Sequence, residues 1–239
     1  MPTTLTKTDL PRPAQRGKVR DIYDLGDALL FVATDRISAF DVVLPTGVPE
    51  RGVVLNALSR FWFQRLGGIV PNHFLAMGAD AEKIAPYFPD LPAQVARRAM
   101  LVKKVKPVLV ECIVRGYLAG SGWAEYQRRG TIGGRQAPEG LEESQRLVTP
   151  LFTPTTKAAE GHDELITMDQ MKDMIGGELT RRLERLSLEL YEAGHEYALG
   201  RGIIIADTKF EFGLLDGEVM LIDEALTPDS SRFWDARTY

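Results

Sequence analysis

Charged side chains fall at every second position in Ala206-Asp207-Thr208-Lys209-Phe210-Glu211-Phe212-Gly213. Read as a strand, this segment puts Asp207, Lys209 and Glu211 on one face and Phe210, Phe212 and Leu214 on the other. Carboxylates beside a lysine suit Mg²⁺ and phosphate, because Mg²⁺ takes one or two carboxylates plus phosphate oxygens. An amphipathic strand with an exposed ion pair gives the same pattern. The turn signal Asp216-Gly217 joins this run to a second strand over 219–224. A two-residue loop pairs Leu215 with Glu218 and sets Lys209 opposite Glu224. A three-residue loop sets Glu211 opposite Asp223, a repulsive pair unless a cation lies between them. Both registers remain open.

Three further segments gather anion-binding groups. In Arg16-Gly17-Lys18-Val19-Arg20, alternation places Lys18 and Arg20 on one strand face, and Gly17 permits close backbone approach. Such a hairpin could cover ATP phosphates, although for this segment alone a solvated basic edge strand is the favoured reading. Val114-Arg115-Gly116-Tyr117-Leu118-Ala119-Gly120-Ser121-Gly122 sets an arginine, a serine and glycines after a strand, which is phosphate-binding chemistry. Asp223-Glu224-Ala225-Leu226-Thr227-Pro228-Asp229-Ser230-Ser231-Arg232-Phe233-Trp234 again combines hydroxyls with an arginine. A turn with surface charges is the plain alternative for each. Four such clusters in one short chain point to a site for several phosphates.

The elements that must position these groups follow from periodicity. Residues 18–34 read as a hairpin turning at Asp24-Leu25-Gly26-Asp27. Val54, Leu58, Phe61, Trp62 and Leu66 have helical spacing, ended by Gly67-Gly68. Strands are expected over 101–105 and 108–114, interrupted by Lys106-Pro107. Residues 128–163 read as irregular, and a stretch that long is more often a functional loop than idle linker. Thr167-Met168-Asp169-Gln170 is a capping box opening a helix with Met171, Ile175, Leu179, Leu183, Leu186 and Leu190 on its apolar stripe. Gly176-Gly177 weakens it. Strand-rich ends around this middle imply an α+β fold rather than a doubly wound sheet.

Composition narrows the partners. The 239 residues carry 29 basic and 33 acidic side chains, a net charge of −4 that offers no basic field for nucleic acid. No apolar run reaches membrane-spanning length. Cys112 is the single cysteine, so no internal disulfide forms and a reducing compartment, the cytoplasm, suits the chain. It sits among Val108, Leu109, Val110, Ile113 and Val114, which reads as core rather than as a nucleophile.

Taken in order, Gly17 to Tyr23, Asp35-Arg36-Ile37-Ser38-Ala39-Phe40-Asp41, Glu111 to Arg115, Asp207 to Gly213 and Thr227 to Trp234 resemble the phosphoribosylaminoimidazole-succinocarboxamide synthase (SAICAR synthetase) family. The resemblance runs from about Arg16 to Trp234. It implies a two-lobed α+β fold related to ATP-grasp enzymes, with antiparallel sheets and a cleft between the lobes. It assigns the nucleotide-covering hairpin to 1–104 and the metal and substrate sites to 105–239. It implies a ligase of purine biosynthesis that joins carboxyaminoimidazole ribotide (CAIR) to L-aspartate, using ATP with Mg²⁺ and passing through an acyl phosphate.

Carried over residue by residue, Gly17, Lys18 and Arg20 belong by the ATP phosphates, and Lys104 and Glu111 beside the adenosine. Glu211 and Asp223 are the implied magnesium ligands, with Asp207 and Lys209 next to the reacting groups. Arg115, Ser121 and Arg232 are implied for the ribotide phosphate and Ser38 for the CAIR/aspartate side. Lys157 and Asp163 belong to the implied substrate loop, where His162 is a further contact; His73 and His195 read as structural. Family members continue past Arg232-Phe233-Trp234 into a helical segment, whereas this chain ends at Tyr239, so Phe233 and Trp234 are expected to lack cover. A kinase, or a nucleotide-binding protein without turnover, would share the covering hairpin and the carboxylates. No catalytic loop of the kinase type is present in the sequence.

Overall fold

Short strands separated by Gly- and Asp-bearing turns build the first half of the chain into antiparallel sheet. The computed structural model describes residues 4–39, 42–157 and 164–239. Contacts divide the chain into two units, Met1–Gln64 with Asn72–Val105, and Arg65–Pro71 with Lys106–Tyr239.

The first unit contains β1 (Ala14–Arg16), β2 (Arg20–Asp24), β3 (Ala28–Ala33), a two-stranded ribbon of β4 (Ser38–Ala39) and β5 (Val42–Val43), α1 (Arg51–Leu66), β6 (Phe74–Met77), the single turns α2 (Ala81–Ile84) and α3 (Ala93–Ala96), and β7 (Ala99–Lys103). Its sheet is antiparallel in the order β1-β2-β3-β7-β6. Tyr23, Leu30, Leu101, Ile84 and Phe88 form its core. The expected hairpin is present as β2 and β3, but its first strand opens at Arg20, not Lys18. Gly17, Lys18 and Val19 are instead the turn between β1 and β2, closed by the Gly17 amide donating to the Arg20 carbonyl at 2.8 Å. Alternation therefore does not set Lys18 beside Arg20.

The α1 stripe is also shifted. Leu55, Trp62, Phe63 and Leu66 are buried, whereas Val54 and Phe61 are 54% and 39% exposed. Asn56 shares the inner face: buried there, it donates to the Ala99 carbonyl at 3.0 Å, a bond that hydrophobicity counting does not register.

The second unit contains β8 (Lys106–Tyr117), α4 (Gly120–Arg129), β9 (Thr131–Ile132), β10 (Arg135–Gln136), β11 (Arg146–Phe152), β12 (Thr155–Thr156), α5 (Met168–Ile175), α6 (Gly177–Leu199), β13 (Ile203–Leu215), β14 (Glu218–Ile222) and β15 (Ser231–Asp235). The main sheet runs β11-β8-β13-β14, with β12 also on β8 and β15 also on β13, all antiparallel. Four strands thus occupy part of a stretch that reads as irregular, because their order comes from pairing with neighbours rather than from apolar alternation. Lys106-Pro107 does not interrupt β8 but begins it, a position where a missing N–H is tolerated. The Thr167 capping box forms as expected, and Gly176, at φ 84°, divides the helix into α5 and α6.

α6 packs on β8 and β13. It buries Leu183, Leu186, Leu190 and Tyr191, while the alternate strand positions Val110, Cys112, Val114, Phe210 and Phe212 are buried in the sheet. The Tyr191 hydroxyl donates to the Ile205 carbonyl at 2.7 Å, and a Cβ at Gly116 would lie 1.9 Å from that hydroxyl. Burial pushes the Cys112 thiol up to about 12, so it stays an inert core residue. Of the aromatic pair at the end of β15, Trp234 is not bare as the sequence led us to expect: it packs edge-on against Tyr117 at 5.4 Å and stacks on Tyr239 at 5.8 Å.

Candidate active site

With alternate residues of β8 and β13 committed to the core under α6, period two sends the charged residues to the opposite face. Register then sorts them. Asp207 pairs with Arg115 of β8 on one side and with Arg232 of β15 on the other. Four residues further along β13, Glu211 lies directly opposite Glu111.

The first group is an aspartate between two guanidinium groups. Arg115 Nη1 donates to Asp207 Oδ2 at 3.2 Å, and Arg232 Nη1 donates to the same oxygen. Arg115 Nη2 donates to Ser121 Oγ at 2.9 Å in the first turn of α4, and its Nε donates to Thr153 Oγ1 at 3.0 Å. Burial lowers the pKa of Arg115 and the Asp207 charge opposes that shift; a guanidinium stays charged in either case. Gly120 is required here: at φ 56°, its missing Cβ would lie 2.3 Å from the Arg232 guanidinium. Arg115, Ser121 and Arg232, expected together from the sequence, are thus neighbours around Asp207.

The second group is built on repulsion. Glu111 and Glu211, both buried, face each other across the ladder, an arrangement that needs cations. Lys209 Nζ supplies one, at 2.5 Å from Glu111 Oε1 and 3.6 Å from Glu211 Oε1. Lys157 supplies the other, paired to Glu211 Oε2. Thr155 Oγ1 donates to Glu111 Oε2 at 3.2 Å. Burial works to lower the Lys209 pKa, but Glu111, Glu211 and Asp223 together raise it above the ordinary lysine value. The ammonium therefore persists throughout the neutral range. For Glu211, burial and the nearby Asp223 charge outweigh the two lysines and raise the carboxyl.

The β13–β14 turn takes the two-residue form, with Leu215 opposite Glu218 and Glu211 opposite Ile222. Asp223 is therefore not Glu211's cross-strand partner. It comes within electrostatic range because the strand ends there and Asp223 turns into the left-handed region, φ 68°, which aspartate tolerates better than most residues. Among the described residues no three His, Cys, Asp or Glu side chains form a ready cage for a metal. The buried Glu211 and the half-buried Asp223, close enough to repel, nevertheless fit Mg²⁺, whose remaining ligands are phosphate oxygens and water.

Glu111, expected beside the adenosine, thus sits with Lys209 and Glu211. Lys104, expected in the same place, belongs to the first unit and pairs with Asp24 at 2.6 Å. There Lys18 is exposed in the β1–β2 turn, the Arg20 guanidinium lies 5.8 Å from the Phe31 ring centre, and Ser38 pairs with Val43. Asp163 and His162 lie outside the described residues. His73 packs against Phe31 and Phe63, and His195 stacks on Tyr191. Sequence reasoning missed Thr153 and Thr155. Their two-residue spacing beside buried Phe152 was the available signal, masked by Pro154.

An α+β frame carrying two arginines around an aspartate, and two lysines among carboxylates, on one sheet face defines an enzyme that handles anionic, phosphorylated substrates. The SAICAR synthetase family model matches residues 13–239. Phosphoribosylaminoimidazole-succinocarboxamide synthase of Thermodesulfovibrio yellowstonii is 53% identical over 229 residues, covering 94% of this chain and 76% of its own length. The protein of the same name from Geobacter sulfurreducens is 50% identical over the whole of this chain and 81% of its own length. Among solved structures, the SAICAR synthase of Saccharomyces cerevisiae complexed with SAICAR superposes with a TM-score of 0.89 at 46% identity, over 99% of this chain and 81% of its own. A SAICAR synthetase in complex with ADP superposes with a TM-score of 0.76 at 26% identity, over 95% and 85%. The chain belongs to the SAICAR synthetase family. No helix among the described residues is long and apolar enough to cross a membrane.

Proposed function

We infer that this chain joins CAIR to L-aspartate with cleavage of ATP, giving SAICAR, ADP and phosphate. The observation that carries the reading is the single row Glu111, Lys209, Glu211, Asp207, Arg115 and Arg232 on one sheet face, in a chain about half identical to synthases of that name. A carboxylate is a poor electrophile, so its oxygen first takes the γ-phosphoryl group and ADP leaves. The aspartate amine then attacks the acyl carbon, the C–O bond to phosphate breaks with its electron pair, and the nitrogen gives up a proton. No enzyme nucleophile is required.

Arg115, Ser121 and Arg232 suit the ribotide phosphate, since two guanidinium groups and a hydroxyl at a helix start are matched to a dianion. Asp207 holds both arginines in place before substrate arrives. Lys209, protonated by its carboxylate neighbours, acts as a fixed positive charge rather than a general base, and stabilises charge spread over the transferring phosphoryl group. Glu211 and Asp223 would hold Mg²⁺, which supplies charge neutralisation to the phosphates when bound. Lys18 and Arg20 of the 1–104 lobe serve the ATP phosphates, with Lys104 toward the nucleoside. Lys157, Asp163 and Ser38 serve CAIR and aspartate. The lone buried Cys112 favours a cytoplasmic setting.

The direct test mixes ATP, Mg²⁺, CAIR and aspartate and follows SAICAR and ADP. A stable phosphorylated product without SAICAR would make the protein a kinase, and ATP binding without turnover would make it a nucleotide-binding protein only. Within this reading, Arg115→Ala and Arg232→Ala should weaken CAIR by about tenfold to a hundredfold, the worth of one charge-assisted bond, while the KM for ATP changes little. Equal losses for both substrates would count against a separate ribotide-phosphate site.

A further inference from the structure

Arg36 takes no part in the chemistry above, yet its guanidinium is bonded to four backbone carbonyls and a carboxylate. Nε donates to the Lys18 carbonyl at 3.0 Å, Nη1 to the Thr6 carbonyl at 2.6 Å, and Nη2 to the carbonyls of Gly17 and Arg20, each at 3.0 Å. Nη2 also meets Asp21 Oδ1 at 2.9 Å. The carbonyl between them, that of Val19, accepts from the Thr34 amide at 3.0 Å and the Thr34 hydroxyl at 2.7 Å. Four consecutive carbonyls, Gly17 to Arg20, are therefore held by two side chains that follow β3. A surface turn with a glycine ordinarily leaves such groups to water.

The anchor itself is fixed. Asp35, next in the chain, accepts from Arg98 at 2.5 Å, from the Gly52 amide at 3.0 Å in the first turn of α1, and from the Leu5 amide at 2.8 Å. Burial would raise the Asp21 carboxyl, but bonds from Thr8 and Arg36 outweigh it and hold the group below its usual value. The Arg36 side chain is 13% exposed and Asp21 is fully buried, so the fork is not a wandering surface contact.

We propose that Arg36 is a positioning residue for nucleotide binding: it clamps the backbone of the Gly17–Arg20 turn so that Lys18 and Arg20 are presented to ATP phosphates in one fixed geometry. The inference rests on the reading that these two side chains serve ATP. Ordering a loop before the ligand arrives removes that entropic cost from binding. Lysine cannot replace arginine here, because an ammonium lacks the planar fork that reaches Gly17, Lys18 and Arg20 at once.

The experiment is a double-mutant cycle in the full chain, measuring KM for ATP, CAIR and aspartate separately, with thermal unfolding alongside. Arg36→Lys should raise the KM for ATP by about tenfold, leave those for CAIR and aspartate within about twofold, and add less than about twofold to Lys18→Ala. A uniform rise in all three KM values, or a lowered unfolding temperature with unchanged KM, makes Arg36 a structural residue and overturns the proposal. Full additivity with Lys18→Ala overturns the coupling through the turn. If Lys18→Ala alone leaves the KM for ATP unchanged, the phosphate assignment of the turn fails and the proposal with it. Should Arg36→Lys not fold, near-isosteric Thr34→Val loosens the same turn through Val19; an unchanged KM for ATP there overturns the clamp, and a selective rise supports it.

Discussion

Replacing Lys209 with methionine is expected to abolish SAICAR formation and to make stability fall as pH rises. Lys209 is the cation between two carboxylates that the β8–β13 register forces together, with Glu111 and Glu211 only 7% and 8% exposed. Removing one partner of a buried pair costs roughly 3–5 kcal/mol, and Lys209's own one-third exposure argues for about 2–3. The sign follows from linkage. In the wild type the raised lysine pKa means its contribution is complete below the unfolded lysine value and lost only above it, so the neutral range is unaffected. In the variant, Glu211, which burial and Asp223 already raise, loses one of the two lysines that oppose the shift and so holds its proton still more tightly folded than unfolded. Destabilisation is therefore small near pH 5 and grows toward pH 8. Adding Glu111→Gln should recover most of the stability at pH 8 and none of the activity. Equal destabilisation at both pH values, or turnover within tenfold of wild type, would show that Lys209 is neither the bridge nor the fixed charge described above.

The second large effect concerns Glu211. Glu211→Gln, and Asp223→Asn with it, should lower turnover by about two to three orders of magnitude, the scale for losing a group that stabilises transferring charge, with little cost to folding. A carboxyl raised by burial and by Asp223 binds its proton better folded than unfolded. Its ionisation works against folding above the unfolded carboxylate range, and this penalty is absent in acid. Glutamine removes the penalty while leaving Lys157 without its carboxylate partner, so unfolding temperatures near pH 7 should stay close to wild type. The separate readout is ligand stabilisation. Mg-ATP should raise the unfolding temperature of the wild type well beyond ATP with chelator, and that magnesium-dependent increment should vanish in both variants. An increment preserved in both would refute Glu211 and Asp223 as the metal-holding pair.

Much of this chemistry could be read without coordinates. The alternation around Lys209 specified which side chains share a face, because a strand has period two regardless of what it pairs with. The Thr167 capping box and the turn at Asp216-Gly217 are local, and both formed. The core placement of Cys112 followed from its apolar neighbours. Five ordered motifs were enough to identify the family, since each depends on side-chain chemistry that few other arrangements of residues would satisfy.

What the tertiary structure decided is pairing. That Glu111 faces Glu211, and that Asp207 lies between Arg115 and Arg232, depends on the registers of β8 and β15 against β13. The contacting residues are separated by up to 100 positions, as Glu111 and Glu211 are, and no local preference encodes them. The inner face of α1 likewise includes a polar residue, Asn56, whose partner is the distant Ala99 carbonyl. Arg36 and Thr153 act through backbone carbonyls and a neighbouring guanidinium, partners that leave no periodic trace in the chain. Sequence determined the chemical groups and the faces they share; register, a sum of many weak pairings over long separations, decided which of those groups meet.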